Sequence, residues 1–75
     1  MPLIRIKSAG RVIQILELLA SGRYGMKHKD IAEKLGIPKG SLTKLLDNLL
    51  DAGYSAFDSA TKTYKLGSRV LGLAD

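Results

Sequence analysis

Residues 30–54 read DIAEKLGIPKGSLTKLLDNLLDAGY, and the punctuation of this stretch decides the fold. Ile31, Ala32 and Leu35 recur at helical spacing, and Gly36 supplies the left-handed backbone that ends a helix. Pro38 then suits the first turn of a new helix, because its missing N–H is one that a helix start leaves unpaired anyway. Leu42, Leu45, Leu46, Leu49 and Leu50 lay one apolar face along residues 38–52 until Gly53 stops the run. Two short helices joined by Gly36-Ile37-Pro38 have the layout of a helix-turn-helix, whose second helix is suited to a major groove. Ala32 is small where the helices cross closely, and Ile31, Leu35, Ile37, Leu42 and Leu45 complete the core between them. The plainer alternative for the same pattern is a generic three-helix bundle.

Outward from this motif, Ser8 followed by AGRVIQILELLA gives a capping residue and then a helix that ends before Ser21-Gly22. Val12, Ile13, Leu16 and Leu19 form its expected inner side. Gly25-Met26-Lys27 leaves room only for a very short extended piece. Beyond Gly53, the stretch YSAFDSATKTYKL alternates Tyr54, Ala56, Tyr64 and Leu66 with polar residues around a turn at 59–63, which predicts a two-stranded hairpin. Ser68 to Leu73 begins a further helical pattern. The predicted class is mainly α with a small β-hairpin, a winged helix-turn-helix built as a three-helix core plus a wing. It divides into a basic arm at 1–7, the domain at 8–67 and the start of a C-terminal helix at 68–75.

The chain has 75 residues, enough for one small domain with a thin core and little space for a deep active-site cavity. Cys is absent, which excludes disulfides, thiolate zinc sites and cysteine nucleophiles; one His and no Trp exclude a His-based metal cluster or an aromatic cage. No Ser/His/Asp order or Gly-rich phosphate loop is present, so the reading is a non-enzyme without cofactor or metal. No uninterrupted apolar run is long enough for a membrane span, and the expected location is the cytoplasm. Lys and Arg number 12 against 7 Asp and Glu, a formal charge of +5 that points to a polyanion, nucleic acid first. The excess is uneven: residues 1–29 carry six bases and one acid, whereas residues 30–58 carry three bases and five acids.

Within residues 38–52 the charges are polarised, with Lys39 and Lys44 in the first half and Asp47 and Asp51 in the second. That order opposes the helix dipole, at about 0.3–1 kcal/mol per charge, so local stability is not its reason. A first half that approaches phosphates and base edges is a physical motive; a solvated face of unselected charges is the bland reading. Counting 100° per residue from Leu42 puts Gly40, Lys44, Asp47 and Asp51 opposite the core, with Ser41, Thr43 and Asn48 on the shoulders. Lys39, Gly40, Ser41, Thr43, Lys44 and Asn48 are therefore the candidate readers, and without Arg among them bidentate guanine recognition by Arg is excluded. Lys27, His28 and Lys29 precede the helix that starts near residue 30, a corner suited to a phosphate, although His28 packed on Met26 is an equal alternative. Lys62 at the hairpin tip either reaches the backbone or minor groove or merely solubilises the turn. Arg5 and Lys7 either follow the DNA backbone or form a solvated tail.

Helix one has a broader apolar side than a thin core requires. Arg11, Gln14, Ile15 and Leu18 follow i, i+3, i+4, i+7 spacing and form a second seam, read either as a two-fold dimer contact or as the seat of a continuing terminal helix.

Read end to end, residues 8–73 resemble the N-terminal winged helix-turn-helix domain of the IclR family of bacterial and archaeal transcription regulators. The resemblance rests on SAGRVIQILELLA, DIAEKLGIPKGSLTKLLDNLLDAGY, TYKLG and SRVLGLA in that order. It implies binding of a palindromic operator in double-stranded DNA as a homodimer, through residues 38–52 in the major groove and a wing at 59–63. It also implies a linker helix beginning at 68–75, and a larger effector-sensing domain, absent from this chain, through which any small molecule would act. The sequence departs from the family's usual residues at Lys27 (Ser or Thr), Gly40 (Ser), Lys44 (Arg) and Ser55 (apolar), so the pattern of operator contacts need not be the family's. The second function class is a winged helix used as a protein-interaction module, since a fold does not dictate a function; an apolar or acidic face in place of Gly40, Ser41, Thr43 and Lys44 would mark it.

Overall fold

The computed structural model describes residues 6–22 and 24–70, which form three helices and a hairpin: α1 (Lys7–Ser21), α2 (His28–Leu35), α3 (Lys39–Ala52), β1 (Ser55–Asp58) and β2 (Thr63–Leu66). The α2–α3 turn is built as its residues dictate. Gly36 takes φ 65°, and its N–H and that of Ile37 both donate to the Ala32 carbonyl, closing α2. A Cβ at Gly36 would meet no atom within 4 Å, so glycine is favoured there by backbone conformation and not by crowding. Pro38 caps α3, and Leu42 N–H donates to its carbonyl at 2.9 Å. At the other end, Gly53 N–H donates to Leu50 and Tyr54 N–H to Leu49, the paired bonds of a Schellman ending.

The core draws on every helix. Ile15 and Leu19 of α1, Ile31 and Ala32 of α2, Ile37 of the turn, and Leu42, Leu46 and Leu49 of α3 are buried together. Val12, Leu16, Leu18, Leu35 and Leu45 pack at its margin. For α1 this corrects two expectations. Ile15, assigned to an outer dimer seam, has no exposed surface, while Ile13, assigned to the inner side, is 41% exposed. The reason is angular: at about 100° per residue, Val12, Ile15, Leu16 and Leu19 share one arc, and Ile13 lies about 160° from Ile15. Ser8 is also not the cap. The helix starts two residues earlier than such a cap implies, Ile6 occupies the cap position without a side-chain bond, and Lys7 belongs to the first turn and not to an arm.

The hairpin is antiparallel, with Ser55 opposite Leu66 and Asp58 opposite Thr63. Met26 supplies the expected short extended piece, bridging the free edge of β2 through reciprocal bonds with Tyr64 at 2.9 and 2.7 Å. Of the four residues expected to alternate inward, Tyr54, Tyr64 and Leu66 pack against the core and Ala56 is exposed; Ser55 and Thr63, on opposite faces of the hairpin, are buried as well. Each buried hydroxyl has a partner, since Ser55 donates to the Lys65 carbonyl and Thr63 shares a 2.7 Å bond with Thr61. After β2 the chain returns to the end of α3. Gly67 lies so near the Gly53 carbonyl that any Cβ there would overlap it, Gly67 N–H donates to Tyr54, and Arg69 N–H donates to Gly53. Residues 69 and 70 have helical backbone, and the rest of the expected linker helix lies outside the described residues.

Candidate nucleic-acid interface

α3 presents its polar side outward. Lys39, Gly40, Thr43, Lys44, Asp47, Asn48 and Asp51 are exposed and Ser41 is half-buried. A Cβ at Gly40 would meet nothing within 4 Å, so the backbone there is bare to an approaching surface. The leucine spacing that buries Leu42, Leu46 and Leu49 is what turns this face to solvent.

The α2 corner is tighter than its sequence suggested. Lys27 is the cap residue, and His28 and Lys29 already form the first turn, where the leading N–H groups have no partner within the helix. Lys27 and Lys29 are exposed. His28 Nε2 lies 3.0 Å from Thr43 Oγ1 across the helix pair, and its ring lies 6.4 Å from that of Tyr64 between centroids. Tyr64 in turn packs on Phe57 at 4.9 Å. Burial, with the Asp47 carboxylate second, pushes the Tyr64 phenol above its ordinary value. The His28–Thr43 contact escaped sequence reading because it joins residues 15 positions apart on two helices, a separation that carries no periodic signal.

The wing tip is a four-residue connection, Ser59 to Lys62, between Asp58 and Thr63. Asp58 organises it: its carboxylate accepts from the N–H groups of Ala60 at 2.9 Å and Thr61 at 3.4 Å, and its carbonyl accepts from Lys62 at 2.7 Å. Those two amides, with a smaller contribution from Lys65 at 3.9 Å, hold its carboxyl below the ordinary 3.8. Lys62 is exposed and adopts φ 60°, the one non-glycine residue with positive φ in the described structure.

On α1, Arg11 is half-buried, Gln14 exposed and Leu18 half-buried against the core, so of the four seam residues only Ile15 is removed outright. Beside them runs an open groove floored by Ile6, Ile13 and Leu35 and edged by Arg11, Gln14 and Glu17. Arg5 lies outside the described residues. Among the described residues, no helix is long and apolar enough to cross a membrane, and no group of three or more potential metal ligands occurs.

These features coincide with those of known proteins. The model of the IclR helix-turn-helix domain matches residues 8–59. Glycerol operon regulatory proteins of Streptomyces coelicolor and Streptomyces griseus are 37% and 34% identical to this chain over 91% and 93% of its length. The chain spans about a quarter of those relatives, 27% and 28%. Among solved structures, an IclR transcriptional regulator of Alicyclobacillus acidocaldarius superposes with a TM-score of 0.86 at 25% identity, covering 93% of this chain and 28% of that one. HmgR of Pseudomonas aeruginosa gives 0.78 at 28% identity, covering 91% and 29%. The three helices and two-stranded hairpin are thus a winged helix-turn-helix, and the chain belongs to the IclR family of transcription regulators through its helix-turn-helix domain.

Proposed function

We propose that this domain binds operator DNA in transcription control, with α3 in the major groove and the Ser59–Lys62 tip on the backbone or in the minor groove. The observation that carries the reading is the outward face of α3, where Lys39, Ser41, Thr43 and Lys44 surround the bare backbone of Gly40. Helix N-terminal residues are those that meet base edges in this docking geometry, and they are the basic and hydroxyl-bearing half of α3. Lys27, Lys29 and Lys62 are proposed to supply phosphate contacts, with Lys7 and Arg5 following the DNA backbone. Lys62 supports the assignment independently, since a lysine in left-handed backbone gives up about 1–2 kcal/mol relative to glycine to keep a charge at the tip.

A single small domain makes few contacts, so binding is proposed to use a homodimer on a palindromic site. The α1 groove is the proposed contact, with Ile6, Ile13, Arg11 and Gln14 in place of the buried Ile15.

Selection of bound sequences from random duplex DNA tests the whole reading. A palindrome is expected, with half-sites about one helical turn apart. Lys44→Ala is expected to weaken binding, and Lys62→Ala to lower the slope of log K against log salt by about 0.9, the value of one released phosphate contact. Pools that show no enrichment, or affinities that do not change with salt, would refute it.

A further inference from the structure

We propose that His28 is a positioning residue for base readout, holding Thr43 so that it offers a bound duplex its methyl group in place of a hydroxyl proton, and that Thr43 thereby reads the C5 methyl of thymine. The inference rests on the DNA-binding reading above and names what one residue of α3 recognises.

A threonine hydroxyl has one hydrogen and two lone pairs. Thr43 Oγ1 lies 3.0 Å from the Lys39 carbonyl, which can only accept, so the hydroxyl hydrogen is committed there. The same oxygen lies 3.0 Å from His28 Nε2. With its hydrogen already used, Oγ1 can only accept from the ring, and Nε2 must carry a hydrogen. One lone pair and the γ-methyl are all that Thr43 has left for a ligand.

His28 makes this arrangement hold. A helical threonine divides its time between two rotamers according to which backbone carbonyl its hydroxyl finds. The bond from α2 favours one of them, because leaving it breaks two hydrogen bonds together. The ring is itself braced, half-buried and set against Tyr64, which rests on Phe57, so α2, α3, β1 and β2 all contribute to placing one side chain. Thr43 is exposed, and Gly40, one turn earlier on the same face, has no side chain to shield it. A methyl group held on an exposed recognition face fits one feature of the major groove, the thymine methyl.

The test uses the duplex recovered by selection, rebuilt with uracil replacing each thymine in turn. Wild-type protein is expected to lose about fourfold in affinity at one thymine per half-site, the equivalent of about 0.8 kcal/mol for one buried methyl group. Thr43→Ser keeps the hydroxyl bonds and lacks the methyl, and is expected to bind thymine and uracil duplexes alike at that position. His28→Ala is expected to bring the same ratio towards one, and His28→Gln, whose amide can donate to Thr43, to restore part of it. A merely structural role for His28 would weaken both duplexes equally and leave the ratio intact, and that result overturns the proposal. Tight selective binding with a flat uracil scan overturns it alone. Wild-type protein that binds the selected duplex no better than random DNA overturns the DNA-binding reading and this inference with it.

Discussion

Replacing Ile15 and Ile13 separately by alanine sets two residues, two positions apart on α1, against each other. Ile15 has no exposed surface and lies in the shared core; Ile13 is 41% exposed beside the groove. A buried isoleucine cut back to alanine loses its transfer energy and leaves a cavity, together about 2–5 kcal/mol. A surface substitution of the same kind falls within about 0.5 kcal/mol. The difference is large here, because a chain of 75 residues has only about 4–11 kcal/mol of total stability at typical values per residue. Each kilocalorie moves the midpoint of a domain this size by about 4–8 °C, so Ile15→Ala is expected to lower Tm by at least about 8 °C, with Ile13→Ala close to the parent. Thermal melts followed by circular dichroism, repeated in urea to check that the m-value is unchanged, measure it. Measurement at low protein concentration removes the contribution of dimerisation, which would otherwise add to the Ile13 effect. Equal losses for the two variants, or a loss confined to Ile13→Ala, would refute the placement of α1 and restore the opposite assignment of its faces.

Lys62→Gly is expected to stabilise the hairpin by about 1–2 kcal/mol while weakening DNA binding, because it relieves a left-handed lysine and removes a tip charge together; higher Tm with unchanged affinity would deny Lys62 its contact. Gly36→Ala is expected to cost about 1–2 kcal/mol through backbone conformation alone, and Gly67→Ala more, since the added Cβ would overlap the Gly53 carbonyl and something must shift; comparison of their urea midpoints checks the order. The Asp58 carboxyl has a folded pKa below its ordinary 3.8, so its contribution to the wing is present above that value and fades as pH falls through the lower one. Amide exchange in residues 59–62 is therefore expected to stay flat from pH 7 to 5 once corrected for intrinsic rates, and Asp58→Ala to raise it throughout.

Legibility followed the range of the interactions. α3 and its turn were readable because Leu42, Leu46, Leu49, Gly36 and Gly53 each act within a few residues of their own position, and the outward face of α3 follows from the same spacing. α1 was misread because Val12, Ile13, Ile15, Leu16, Leu18 and Leu19 offer more apolar residues than one face can hold, and which arc turns inward is settled only by the partners it meets. The hairpin and its apolar contacts through Tyr54, Tyr64 and Leu66 follow from the alternation, but the burial of Ser55 and Thr63 does not. Ser55 and Thr63 are accepted inside because the Lys65 carbonyl and Thr61 satisfy them, and composition does not announce such partners. The His28–Thr43 bond is not legible in the sequence, since its two ends belong to different helices.

The return of the chain after β2 has a mechanical consequence. Gly67 N–H on Tyr54, Arg69 N–H on Gly53, and the Arg69 guanidinium 6.0 Å from the Tyr54 ring fasten the exit of the wing to the last turn of α3. The 14 residues of α3 make a rod about 21 Å long. A tilt of about 10° imposed at Gly53 sweeps the Lys39 end through about 3.7 Å, more than half the 5.4 Å pitch of the helix. Because Leu42, Leu46 and Leu49 of α3 are buried in the shared core, such a tilt cannot occur without moving that core, so the exit of the wing and the Lys39 end of α3 are held in one rigid packing.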